Sequence, residues 1–250
     1  MARENVRPHL DTPGPTPVEG TPVREQPHAL GIRAIERRRR LRDTLIAAAE
    51  RMIRKQGLSG LRARELAKAA GCAVGAIYNV FPDLDGLVLA VNAGTLDRID
   101  AAVGEVARKA GQAKGPTDPI AQLVALGQAY LAFAVAEPHL WRALFEHRLP
   151  AGAAVPIWYR EQQARLFGHL DRPLATLMPA ADEAERHETA RMLFSGVHGV
   201  VTLGIEEKLG ALPAQDLRDQ VGRFIVTFCR GLMPNPVDWF RASADGPQDP

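Results

Sequence analysis

Several side chains in one short stretch carry the chemistry needed to read a nucleic acid. Arg62 and Arg64 lie two residues apart in Leu61-Arg-Ala-Arg-Glu-Leu-Ala-Lys-Ala-Ala70. A guanidinium such as that of Arg64 can fork onto guanine O6 and N7, and Arg62 suits a phosphate. A little further on, the carboxamide of Asn79 can pair with adenine N6 and N7. Ala73, Val74 and Ala76 offer apolar contact to a thymine methyl group, and Gly75 lets the backbone come close. An alternative remains open for Arg64, a surface arginine paired with a nearby acid.

The elements that must hold these groups are set by periodicity. Ala63, Leu66, Ala67 and Ala70 fall on one helical face, with Arg62, Arg64, Glu65 and Lys68 mostly off it. Gly71 supplies the corner, since only glycine takes positive φ cheaply. A second short helix carries Val74, Ile77, Tyr78 and Phe81, is stopped by Pro82, and gives way to Asp83 as a cap for the next. Two helices at a tight turn, the second projecting, have the geometry that enters a DNA major groove. Upstream, Leu41, Leu45, Ala48, Ala49, Met52 and Ile53 stripe a helix that ends near Gln56 and Gly57.

Charge is concentrated at the same place. The whole chain of 250 residues carries a formal charge of only +2. Residues 31–70, however, hold 12 Lys/Arg against 4 Asp/Glu, and residues 71–250 hold 16 against 21. Such a cluster attracts phosphates through counterion release, although a charge run can also be only a solvated face. Arg37, Arg38, Arg39 and Arg40 open the first helix, where they could act as an arm toward a minor groove or simply add nonspecific attraction. Residues 1–32 are rich in proline and lack apolar periodicity, which predicts a disordered leader.

The motif resembles the DNA-binding domain of the TetR family of bacterial transcriptional regulators. The likeness rests on Arg64-Glu65-Leu66-Ala67, Ala70-Gly71, Gly75, Ile77-Tyr78, Phe81-Pro82, Asp85 and Leu87, and covers about residues 38–92. It implies that Tyr78 reaches the DNA backbone through its hydroxyl while its ring packs inward; pure core packing is the other reading. This chain departs from the family pattern in having Ala73-Val74 for the usual Ser-Lys, Val80 for a common His, and Leu84 for a phosphate-binding Lys. Those changes shift reliance toward Arg62, Arg64 and the run Arg37–Arg40.

Further along, helices are expected from Asp83 to about Ala110, over 119–136, and over a short segment holding Leu140, Trp141, Leu144 and Phe145. The next carries Ile157 to Leu170 and is kinked or interrupted at Pro173, and the last two span about 182–208 and 214–233. The resulting fold class is all-α. The domains read as leader 1–32, helix-turn-helix domain 33–82 with its motif at about 62–81, helical bundle 83–235, and tail 236–250.

The resemblance implies a small-molecule effector in the bundle and a homodimer formed through the last two helices. Phe133, Trp141, Phe145, Trp158, Met192 and His198 are candidates to line the effector pocket, and Phe194, Val201, Val221, Phe224 and Phe228 to form the dimer interface. His198 is either the pocket's polar handle or a buried histidine bonded to a carbonyl, and Val197-His198-Gly199 resembles the Trp-His-Gly signature of one group of TetR C-terminal domains. A mostly apolar pocket favours a lipophilic effector.

Catalysis is not expected: there is no phosphate-binding glycine loop, nucleophile motif or metal-spaced cluster, so no metal and no cofactor are predicted. Cys72 and Cys229 are too far apart in sequence to suggest a metal or disulfide framework. No stretch reaches about 18 consecutive apolar residues, and no signal peptide is seen, so no membrane partner is expected and the location is taken as the bacterial cytoplasm, on the nucleoid when bound. The expected partner is an operator of double-stranded DNA, an inverted repeat. The implied protein is a repressor released by its effector, the alternatives being an effector-independent architectural factor or a ligand-binding module with a weakened DNA head.

Overall fold

The computed structural model describes residues 27–112 and 118–232, with side chains described from residue 32. Among the described residues there are helices and turns and no strand. Helix α1 is Pro27–Gln56, followed by a short 3-10 turn at Leu58–Gly60, α2 at Ala63–Ala70, α3 at Val74–Val80 and α4 at Leu84–Gly111. Then come α5 (Pro119–Ala136), α6 (Pro138–Glu146), α7 (Ile157–Leu177), α8 (Glu183–Ile205) and α9 (Ala214–Gly231). Helix α1 therefore begins inside the stretch read as a leader; residues 1–26 and the tail 236–250 lie outside the described residues.

Local chemistry sets the ends of the first elements. Gly71 ends α2 at φ 68°, and the amides of Gly71 and Cys72 donate back to the carbonyls of Lys68 and Ala67. That pair closes the helix while turning the chain into α3, and a Cβ at Gly71 would strain it. Asp83 caps α4 by accepting from the Gly86 amide at 2.7 Å, with Asp85 acidic in the first turn.

The head is a small core of its own. Leu45, Ala49 and Ile53 of α1 meet Leu66 of α2, Ile77 of α3 and Leu87 and Val91 of α4, all fully buried. Leu140 and Ala143 of α6 enter the same core, so this core is completed by a helix distant in sequence. Around it, charged pairs tie α1 down: Arg54 Nε donates to Glu137 at 2.9 Å, and Glu50 accepts from both Arg54 and Arg98. These pairs are partly exposed and worth about 0–1 kcal/mol each, so packing carries the larger share.

The bundle has α5 at its centre, packed by α4, α6, α7, α8 and α9. By length and composition α5 is apolar enough to cross a bilayer, but here it is an interior helix whose Leu123, Leu126, Tyr130, Leu131 and Ala134 are buried in the bundle core. Helix α7 runs on through Pro173, which is itself buried, instead of breaking there. The missing donor costs one backbone bond, and burial of Pro173 and Leu174 against the core offsets it. Glycines let α8 and α9 approach: a Cβ on Gly196 would lie 2.1 Å from the Phe224 ring.

Because Leu140 sits at 0% exposure in the head core, Leu140→Ala is expected to cost about 2–5 kcal/mol. Urea unfolding followed by circular dichroism measures this. A loss below about 1 kcal/mol, the range of an ordinary surface change, would mean that α6 is not a structural part of the head.

Candidate nucleic-acid interface and bundle cavity

The candidate reading face is built by one buried residue. Ile77 is fully buried in the head core, which turns the rest of α3 outward. Ala73, Val74, Gly75, Tyr78 and Asn79 lie together on that side, and Val74 and Tyr78 are its large exposed side chains. Tyr78 is 48% exposed and therefore is not a core residue. A Cβ at Gly75 would meet nothing within 4 Å, so no described neighbour requires glycine there.

Arg62 is the N-cap position of α2 and Arg64 lies in its first turn, both exposed. Neither guanidinium has a hydrogen bond or ion pair with another described residue. Arg42 is spent differently, its guanidinium carbon lying 5.4 Å from the centre of the Phe81 ring. Arg37, Arg38 and Arg39 are exposed on α1, and Arg40 accepts a hydrogen bond from the Thr44 hydroxyl at its carbonyl.

A second feature lies inside the bundle: a cavity of about 360 Å³ walled by α4 to α9. Leu96, Val103, Leu126, Leu166, Phe167 and Phe194 give it an apolar wall. Of the residues expected in an effector pocket, Phe145 lines this cavity. Trp141 and His198 stand behind the lining. The Trp141 indole N–H donates to the Tyr130 hydroxyl at 2.8 Å, and His198 Nδ1 lies 2.9 Å from that hydroxyl. Thr202 Oγ1 is 3.3 Å from His198 Nε2. His198 is thus bonded to a tyrosine and not to a carbonyl, and it is packed among rings, with Phe145 centred 4.1 Å away and Phe194 stacked at 5.8 Å.

The protonation states are set by burial. It lowers the pKa of His198, leaving a neutral imidazole, and raises that of Tyr130, keeping the phenol intact. The tyrosine is linked on both sides and neither partner is charged. Tyr159, also buried and lining the cavity, has its pKa raised by burial and its hydroxyl beside the Asn92 carboxamide.

Other expected residues lie elsewhere. Phe133 packs against the bundle core and is not among the cavity-lining residues, Trp158 is 45% exposed on α7, and Met192 is 57% exposed on α8. Among the expected interface residues, Phe194 lines the cavity, and Val201 and Val221 are fully buried within the chain's own bundle, where they offer no surface to a second subunit. Phe224 and Phe228 are half-buried on α9, their rings 6.1 Å apart. Sequence reasoning left out Tyr130, Tyr159 and Phe167 as pocket residues. Only Tyr130 had a usable signal, since it continues the stripe of Leu123 and Leu126.

A three-helix head with an exposed second motif helix, carried on a larger helical bundle, defines a helix-turn-helix DNA-binding protein. Residues 45–91 match the profile described as bacterial regulatory proteins, tetR family, and residues 123–228 that of the tetracyclin repressor-like C-terminal domain. The chain belongs to the TetR family and is a DNA-binding transcriptional regulator.

Solved structures share the fold. One is a protein of unknown function from Rhodococcus sp. RHA1, 26% identical with a TM-score of 0.60, the match covering 76% of this chain and 94% of that one. RolR in complex with resorcinol is 19% identical at a TM-score of 0.55, over 86% of this chain and 98% of that one. The fatty acid degradation regulator FadR from Bacillus halodurans is 20% identical at 0.55, over 76% and 98%. No curated protein matches the sequence significantly.

Two substitutions separate the sites. Arg64→Ala should weaken binding to a selected duplex by about 1–3 kcal/mol and relax preference at one base pair, measured by fluorescence anisotropy. Unchanged affinity and preference would remove Arg64 from the interface. Tyr130→Phe leaves the buried Trp141 N–H without a partner and should cost about 1–3 kcal/mol of stability in urea, with DNA affinity retained.

Proposed function

We propose that the protein is a homodimeric repressor that holds an inverted-repeat operator and is released by a small lipophilic effector taken into the bundle cavity. The observation that carries the DNA part is the outward face of α3 beside two arginines whose guanidinium groups have no partner among the described residues. Asn79 and the arginines supply base and phosphate contacts, Ala73 and Val74 contact thymine methyls, and Tyr78 contacts the backbone. Arg37 to Arg40 add phosphate attraction from α1.

Support for the effector comes from the cavity, whose volume falls in the range of small-molecule sites and whose lining is almost wholly apolar. Its walls include α4, which also lies in the head core through Leu87 and Val91. A ligand that prefers one spacing of α4, α6 and α7 biases the position of the head, and a dimer with the wrong head separation loses successive major grooves. Support for the dimer comes from the outer faces of α8 and α9, where Met192, Leu203, Phe224 and Phe228 leave apolar surface uncovered. Such a regulator works where the chromosome is, in the bacterial cytoplasm.

Selection of duplexes from a random library by the full chain, near physiological salt and again at higher salt, tests the reading. An inverted repeat is the expected product. Salt-sensitive retention without sequence enrichment would replace the repressor with an architectural factor, and no retention would leave a ligand-binding module. Sedimentation of Met192→Glu and Phe228→Glu checks the dimer: both are expected to shift mass toward the monomer, and an unchanged dimer would move the interface elsewhere.

A further inference from the structure

The cavity's polar groups are unequal. Among the described residues, Tyr130, Tyr159 and Gln163 are the only polar side chains that line it, and no Lys, Arg, His, Asp or Glu does. Tyr130 is engaged by Trp141 and His198, whereas Tyr159 is buried, with the Oδ1 of nearby Asn92 making no hydrogen bond to a described residue. The side chain of Gln163, on α7, has no hydrogen bond to another described residue and is solvent-exposed. Its neighbour in sequence, Gln162, is turned inward and committed, donating to the Ala93 carbonyl at 2.8 Å and to Asp97 at 2.6 Å. Two adjacent glutamines thus have different tasks: one clamps α7 to α4, and the other leaves a carboxamide at the wet margin of an apolar chamber.

Resting on the reading of this cavity as the effector site, we infer that the effector is an uncharged, mainly apolar molecule bearing one small neutral polar group, a hydroxyl or carbonyl, which the Gln163 carboxamide reads. An amide both donates and accepts, so it suits either group. A charged ligand finds no countercharge on the lining and must give up hydration without a partner. The chamber of about 360 Å³ sets the scale of the apolar body at the small end of ligand sites. Gln163 is therefore a specificity-determining residue, not part of the fold.

The test titrates the full-length protein with 4-butylphenol, butylbenzene, 4-butylbenzoate and 4-butylbenzylamine by calorimetry, for the native chain and for Gln163→Leu. The expected order is the phenol tightest, the hydrocarbon about tenfold weaker for want of one net hydrogen bond, and the two ions weaker still. Gln163→Leu should bring the phenol to the level of the hydrocarbon while leaving hydrocarbon binding intact, which also reports that the variant is folded. Binding of either ion within about threefold of the phenol, a gap smaller than one net hydrogen bond, would overturn the inference. So would a phenol preference that survives Gln163→Leu, or no binding of any probe. Retention of the selected operator is measured separately with the same phenol: binding without DNA release leaves the ligand class standing and refutes the effector-released repressor.

Discussion

The structure depends on the two-sided packing of α6, a helix of nine residues. One side inserts Leu140 and Ala143 into the head core, and the other carries Trp141 into the bundle core and places Leu144 and Phe145 on the cavity wall. A fully buried leucine contributes about 1.5–3 kcal/mol, far more than the partly exposed ion pairs nearby. Asn92 adds a directional link by donating from α4 to the Ala143 carbonyl at 3.1 Å. Head and bundle are thus joined by a packed interior element. A change on the cavity side of α6 cannot be absorbed by a loose linker.

The same logic explains why the bundle tolerates an internal space. Tyr130 and Trp141 meet edge to face with ring centres 6.2 Å apart, and Tyr130 meets Phe194 at 5.6 Å in a similar pose. His198 fills the angle between them as a neutral ring. Rigid aromatic packing of this kind supports a wall without filling the chamber in front of it. Gly127 keeps α5 and α9 close at the chamber's edge, since a Cβ there would lie 2.5 Å from Ile225 Cδ1.

The head is legible in the sequence because its signals are local. Gly71 can only mean a corner after a striped helix, and Asp83 after a proline can cap the next helix; both do so in the structure. Helix phase in the bundle is less legible. Met192 points to solvent and Leu193 into the cavity wall, and the same division separates Trp158 from Tyr159. Neighbouring residues differ by about 100° around a helix, so an aromatic or polarizable residue can be chosen correctly by type and misplaced by one step. Only the packing of six helices decides that phase, and it also turns Val201 and Val221 inward. Pro173 escapes a local reading for a related reason: burial of the ring on the core outweighs one missing backbone bond.

The proposed recognition of DNA divides its work between two chemistries. The exposed face of α3 holds no charged residue, so the base-reading helix adds little to nonspecific attraction. The cations lie on the preceding elements: Arg51 and Lys55 on α1, Arg62 at the entry to α2, Arg64 and Lys68 within it, all exposed. In that proposal, phosphate contacts from these residues supply affinity that falls with salt, while discrimination rests on Asn79, Arg64 and apolar contact from Ala73 and Val74. With few polar contacts on the reading helix, the loss of any one should lower affinity for the specific site while leaving nonspecific binding nearly unchanged. In the proposed dimer, correct spacing of the two heads would then be the larger source of selectivity, and it is this spacing that a ligand between α4 and α7 would perturb.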